Sequence, residues 1–82
     1  MGPTGKFHYF VDTTEYATDA EFLTGADIKA KIAGFNPTYA LYLENAGKKP
    51  DELVNDTDRI DMKPGDGHGV RKFYTVPPAT FG

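Results

Sequence analysis

The 82-residue sequence contains no cysteine, no tryptophan and no serine. Without thiols there is no disulfide framework, no thiolate metal site, no iron–sulfur cluster and no thiol nucleophile. Without serine there is no serine nucleophile either, so any covalent sulfur chemistry has to come from a partner. Long apolar runs are missing too. No stretch approaches the roughly 18 residues of a membrane span, and the N-terminal "MGPTGKFHYF" lacks the apolar core of a signal peptide. The expectation is a cytoplasmic protein that engages no membrane. A basic excess is also absent: 9 Lys and Arg stand against 12 Asp and Glu, for a net charge of −3. The lysines are scattered rather than gathered into a stripe, which argues against nucleic acid as a partner. What is present, 39% hydrophobic and 26% charged residues, describes one small globular domain near the lower limit for a self-sufficient core.

Hydrophobic period and turn chemistry divide the chain. "KFHYFVD" alternates, with Phe7, Tyr9 and Val11 on one side and Lys6, His8, Phe10 and Asp12 on the other, the pattern of a half-buried strand. "YATDAEF" reads as the returning strand of a hairpin, although Thr13-Thr14 is poor chemistry for a tight turn. In "LTGADIKAKIAG", Thr24 is an N-cap, Asp27 closes a short-armed capping box, and Leu23 and Ile28 hold the positions of a hydrophobic staple. The spacing predicts a helix of about three turns, with Ile28 and Ile32 on its buried face and Gly34 as its stop. "TYALYLE" is a third strand with Leu41 and Leu43 facing the helix. "NAGKKPDELVNDTD" reads as a polar loop anchored by Leu53 and Val54, "RIDM" as a short strand, and "VRKFYTV" as a last strand closed by Pro77-Pro78. One helix covering one mixed sheet of four to five strands is an α+β arrangement, and a β-grasp with its first and last strands parallel in the middle satisfies the order.

Most chemistry-bearing residues have an ordinary explanation. His8 and His68 lack second ligands at a helpful spacing, so no metal site and no cofactor are expected. "GPTGK" lacks the spacing and the hydroxyl of a phosphate loop. Asp51, Glu52, Asp56, Asp58 and Asp61 lack calcium-loop spacing and read as a solvated face. Lys48 and Lys49 read as an exposed loop pair, with acceptance of a covalently attached protein as the alternative. Tyr42, however, points away from the helix if Leu41 and Leu43 point towards it. Phe10 and Tyr74 share that open face, a candidate docking surface.

The helix "TGADIKAKI" resembles the ubiquitin helix, TIENVKAKI, in its capping threonine and its "KAKI" ending, and "GFNP" follows where ubiquitin has glycine, an aliphatic residue and prolines. "VDTTEY", "LTGADIKAKIAG", "LYLE" and "KFYTVPPATFG" are similar to the bacterial multiubiquitin-domain family of ubiquitin-like proteins. The resemblance implies a ubiquitin-like β-grasp over residues 1–76 and an extended conjugation tail over 77–82. It also implies a protein modifier that is not itself an enzyme, monomeric when free, in a bacterial conjugation pathway with antiviral defence among its possible roles. The implied partners are an E1-like activating enzyme, an E2-like conjugating enzyme, a JAB-type deconjugating peptidase and a target protein.

In that reading Gly82 is the acyl donor, either encoded last or exposed by processing. It has no β-carbon to crowd attack on its carbonyl. Pro77 and Pro78 stiffen the tail, and Thr80 and Phe81 are read with them by the enzymes. Phe81 departs from the penultimate glycine of ubiquitin, so the cognate enzyme slot should be wider and apolar. Two other readings are a sulfur carrier, which usually ends in Gly-Gly, and a non-covalent β-grasp interaction module.

Overall fold

Alternation governs the first strand as the sequence pattern requires. In the computed structural model, which describes residues 2–65 and 69–79, β1 (Phe7–Val11) turns Tyr9 and Val11 inward, at 0% and 3% exposure. It returns through a turn of only two residues, because Val11 already pairs with Thr14 of β2 (Thr14–Thr18). Asp12 opens that turn at φ 56°. This left-handed region is one that aspartate enters more readily than most residues and that matches the twist of a hairpin.

The returning strand therefore begins and ends earlier than the sequence suggests. After Thr18 the chain leaves the sheet. The Ala20 N–H donates to Thr18 Oγ1 at 3.1 Å, and the Asp19 carboxylate accepts from the Lys6 backbone N–H at 2.9 Å. Phe22 thus belongs not to the hairpin but to β3 (Phe22–Thr24), which pairs with β6 (Arg59–Asp61) in a separate two-stranded sheet.

The helix start follows the sequence signals. Thr24 caps α1 (Gly25–Lys31): its Oγ1 accepts from the Asp27 N–H at 3.1 Å, and the Asp27 carboxylate accepts from the Thr24 N–H at 3.0 Å. Two further N–H groups that any helix start leaves unpaired, those of Gly25 and Ala26, donate to the carbonyls of Asp58 and Asp56. The staple residues Leu23 and Ile28 are both buried. The helix is shorter than expected, seven residues. Ile32 leaves helical geometry at ψ 112°, and Gly34, at φ 67°, serves the turn that follows. Ile28, fully buried, is thus the main anchor, while Ile32 packs against the core only partly buried.

β4 (Ala40–Glu44) places Leu41 and Leu43 inward as expected. The loop reading of residues 45–58 is corrected by β5 (Glu52–Val54), paired antiparallel with β4. Within it Val54 is buried but Leu53 is 50% exposed, so only one of the two expected anchors reaches the core. Adjacent residues of a strand face opposite ways, and both cannot point inward. β7 (Arg71–Val76) runs parallel to β1 and antiparallel to β4, giving a mixed sheet ordered β2-β1-β7-β4-β5. The result is a small α+β fold of one mixed five-stranded sheet and one helix. Its core joins Tyr9, Ile28, Leu41, Met62 and Phe73. Among the described residues no helix is long and apolar enough to cross a membrane.

Candidate functional site

Strand pairing decides which side chains share the open face. Tyr42 of β4 stands directly opposite Leu53 of β5 on one side and Tyr74 of β7 on the other. Because Leu41, Leu43, Val54 and Phe73 face the core, their alternating neighbours Tyr42, Leu53 and Tyr74 form one row across the opposite surface. The rings of Tyr42 and Tyr74 stack with centroids 5.5 Å apart and planes 8° apart. Leu53 lies beside them, and sequence reasoning missed it. With Leu53 and Val54 adjacent and the strand three residues long, alternation offers too few positions to say which one turns inward.

Phe10 lies on the same face but elsewhere in it. It pairs with Lys72 of β7 and Glu15 of β2. Among the described residues the ring pairs are Tyr9–Tyr16, Tyr9–Phe73 and Tyr42–Tyr74. The three expected aromatics thus share a face without forming one cluster; the contiguous apolar row is Leu53–Tyr42–Tyr74.

A hydrogen-bonded loop fixes one end of that row. The Tyr74 hydroxyl donates to Asp51 Oδ2 at 2.6 Å, while Asp51 Oδ1 accepts from the Asn45 N–H at 3.1 Å. The Asn45 side-chain amide donates to the Pro50 carbonyl at 2.8 Å and to Glu52 Oε2 at 3.0 Å. The loop that carries Lys48 and Lys49 is thereby tied to the ring of Tyr74. The hydrogen bond to Asp51 is the main cause that pushes the Tyr74 phenol up to about 12, with partial desolvation and the negative charge of Asp51 adding to it. Conversely, the bond from Tyr74, followed by that from the Asn45 backbone, holds Asp51 below the usual aspartate value.

The other acids have local tasks as well. Asp56 pairs with Lys29 at 2.7 Å, Asp58 accepts from the Asn55 N–H at 2.8 Å, and Asp61 accepts from the Lys63 N–H at 2.9 Å. These carboxylates lie exposed or half-buried and also fasten loops. His8 pairs with Glu15 at 2.7 Å across the hairpin. Among the described residues no group of three or more potential ligands is placed to hold a metal ion. An open groove of about 480 Å³ beside α1 is walled by Ile32, Phe35, Pro37, Lys29 and Asp56, and its two charged groups are paired with each other at 2.7 Å.

At the end of β7, Val76 pairs with Ala40, and Pro77, Pro78 and Ala79 run on exposed. Pro77 ends the ladder because proline has no N–H to give it. Thr80, Phe81, Gly82 and His68 lie outside the described residues. Comparison with known proteins returns no matching family model, no matching curated protein and no matching solved structure, so function has to be argued from this geometry and the sequence.

Proposed function

We propose that this chain is a ubiquitin-like protein modifier with a β-grasp fold, carrying its reactive group at Gly82. The observation that supports it best is topological. The first and last strands lie parallel at the centre of the sheet, one short capped helix stands between the hairpin and the later strands, and the last strand releases the chain directly into Pro77-Pro78. That arrangement carries Pro77, Pro78 and Ala79 out of the sheet as exposed chain. Proline bias keeps such a segment from collapsing onto the domain.

The chemistry would proceed at the terminal carboxylate. An oxygen of Gly82 attacks the α-phosphorus of ATP in an E1-like enzyme, releasing pyrophosphate and leaving an acyl adenylate. A thiolate or hydroxyl of the enzyme attacks the adenylate carbonyl and expels AMP, the corresponding group of an E2-like enzyme then takes the acyl group and frees the first, and a target nucleophile takes it last and frees the E2-like enzyme. A JAB-type peptidase would reverse the final bond. Pro77, Pro78, Thr80 and Phe81 are the residues the enzymes read on the way in, and the Leu53–Tyr42–Tyr74 row, with Phe10 beyond it, is the docking face. Pyrophosphate release by the activating enzyme of the pathway, measured with the full chain and with Gly82 deleted, tests the proposal. Release that requires Gly82 supports it, and release indifferent to the deletion contradicts it.

The Leu53–Tyr42–Tyr74 row on the open face of the sheet also favours a second reading, a non-covalent interaction module. That reading would hold if binding to partners survived loss of the tail while no covalent product formed.

A further inference from the structure

Asp12 is a residue whose position asks for glycine. It opens the β1–β2 turn at φ 56°, where a β-carbon is unfavourable. Both of its carboxylate oxygens are engaged 63 positions away in sequence: Oδ1 accepts from the Thr75 backbone N–H at 3.1 Å and Oδ2 from the Thr75 hydroxyl at 2.9 Å. The ladder explains why Thr75 needs this. The last β1–β7 pair is Val11 with Phe73, and the Asp12 N–H then donates to the Phe73 carbonyl at 2.9 Å. At that point β1 turns back into the hairpin, whereas β7 continues to Val76. The Thr75 N–H therefore faces the place where a next β1 residue would sit, and the Asp12 side chain fills that rung.

We infer that Asp12 is a positioning residue for the C-terminal segment: its carboxylate clamps the last turn-side rung of β7 and so fixes the direction in which the chain leaves the sheet at Val76-Pro77. The structural half of this inference is independent of function, and only its consequence for activation rests on the modifier reading. A clamp at the base of a stiff arm lowers the ordering cost that an enzyme faces when it binds the arm. Losing the clamp should then act mainly on KM and little on kcat.

Two substitutions separate the clamp from the turn. Asp12→Gly suits the positive φ but removes both acceptors. Asp12→Asn tolerates the same φ, keeps an acceptor for the Thr75 N–H and offers its amide N–H to the Thr75 hydroxyl. Amide hydrogen exchange of Thr75 is read in each variant with the amides of β4 as internal control, together with the kinetics of pyrophosphate release by the activating enzyme. In Asp12→Gly, Thr75 should exchange about tenfold faster while the β4 amides stay protected, the size expected for a lost charge-assisted hydrogen bond. KM for the modifier should rise several-fold at nearly constant kcat, and Asp12→Asn should restore both readouts. Unchanged Thr75 exchange in Asp12→Gly would overturn the clamp itself. Faster exchange with unchanged kinetics would overturn its role in presentation. A parent chain that the activating enzyme ignores would contradict the modifier reading instead, and the exchange data would still decide the clamp.

Discussion

Tyr74 and Asp51 share a 2.6 Å hydrogen bond that joins the last strand to the loop between β4 and β5, and the bonded phenol is the ring that stacks on Tyr42. The bond holds the proton on Tyr74 up to about 12 against an ordinary 10.0. A phenol that keeps its proton longer when folded contributes stability that is fully present below the unfolded value. That contribution is lost as pH rises from 10.0 through about 12. Ultraviolet titration of tyrosinate should show Tyr74 ionising late, as buried Tyr9 also does, and Asp51→Ala should bring Tyr74 alone back towards 10.0. At the acid end Asp51, held below 3.8, contributes stability above that value and loses it as pH falls further. A titration identical in parent and Asp51→Ala would remove the bond from the account.

Ile28 has no exposed surface and is the one helix side chain wholly inside the core. Ile28→Ala should lower unfolding free energy by about 2–5 kcal/mol, a large share of the stability of a domain this small. Ile32→Ala should cost less, because Ile32 is only partly buried. Equal losses in chemical denaturation would contradict the short helix.

Gly25 gives a prediction with the opposite sign to its local propensity. Alanine at an exposed helix position gains about 1 kcal/mol over glycine. A β-carbon on Gly25, however, would collide with the backbone carbonyl of Asn55 and crowd Val54 Cγ1 at 3.1 Å. Gly25→Ala should therefore destabilise by about 1–3 kcal/mol, as overpacking does, and a raised thermal midpoint would show that the 55–58 loop sits further from the helix.

Tyr9 lies in the core at 0% exposure, stacked on Tyr16, and its hydroxyl has no hydrogen-bond partner among the described residues. Burial pushes its ionisation upward. A buried hydroxyl with no partner costs about 1–3 kcal/mol relative to a satisfied one, so Tyr9→Phe should leave stability unchanged or raise it. A clear loss on denaturation would mean that the hydroxyl is satisfied after all.

The parts of the fold that were legible in the sequence are those set by local chemistry. The alternation of Phe7–Val11 placed Tyr9 and Val11, the Thr24–Asp27 spacing placed the capping box, and Pro77-Pro78 placed the end of the last strand. The parts that were not legible depend on distant partners. Phe22 joined no hairpin because Asp61, 39 positions on, offered it a ladder. Helix α1 stopped early where the chain turned at Ile32, and no stop residue precedes Gly34 to announce it. For the open face, alternation singled out Tyr42 and Tyr74, but only the register that sets them opposite each other reveals the stack and adds Leu53. The clamp of Asp12 on Thr75 has no local signal at all, since it spans nearly the whole chain.

The central claim is acyl transfer from Gly82, and the most direct measurement is hydroxylamine capture. The chain, tagged at its N-terminus, is incubated with Mg-ATP and extract of its host, and activated acyl groups are trapped with hydroxylamine. The C-terminal peptide is then identified by mass spectrometry. The account predicts a hydroxamate on the Gly82 carbonyl that requires ATP and disappears when Gly82 is deleted. A chain that leaves the reaction with an unmodified C-terminus under every condition would contradict it.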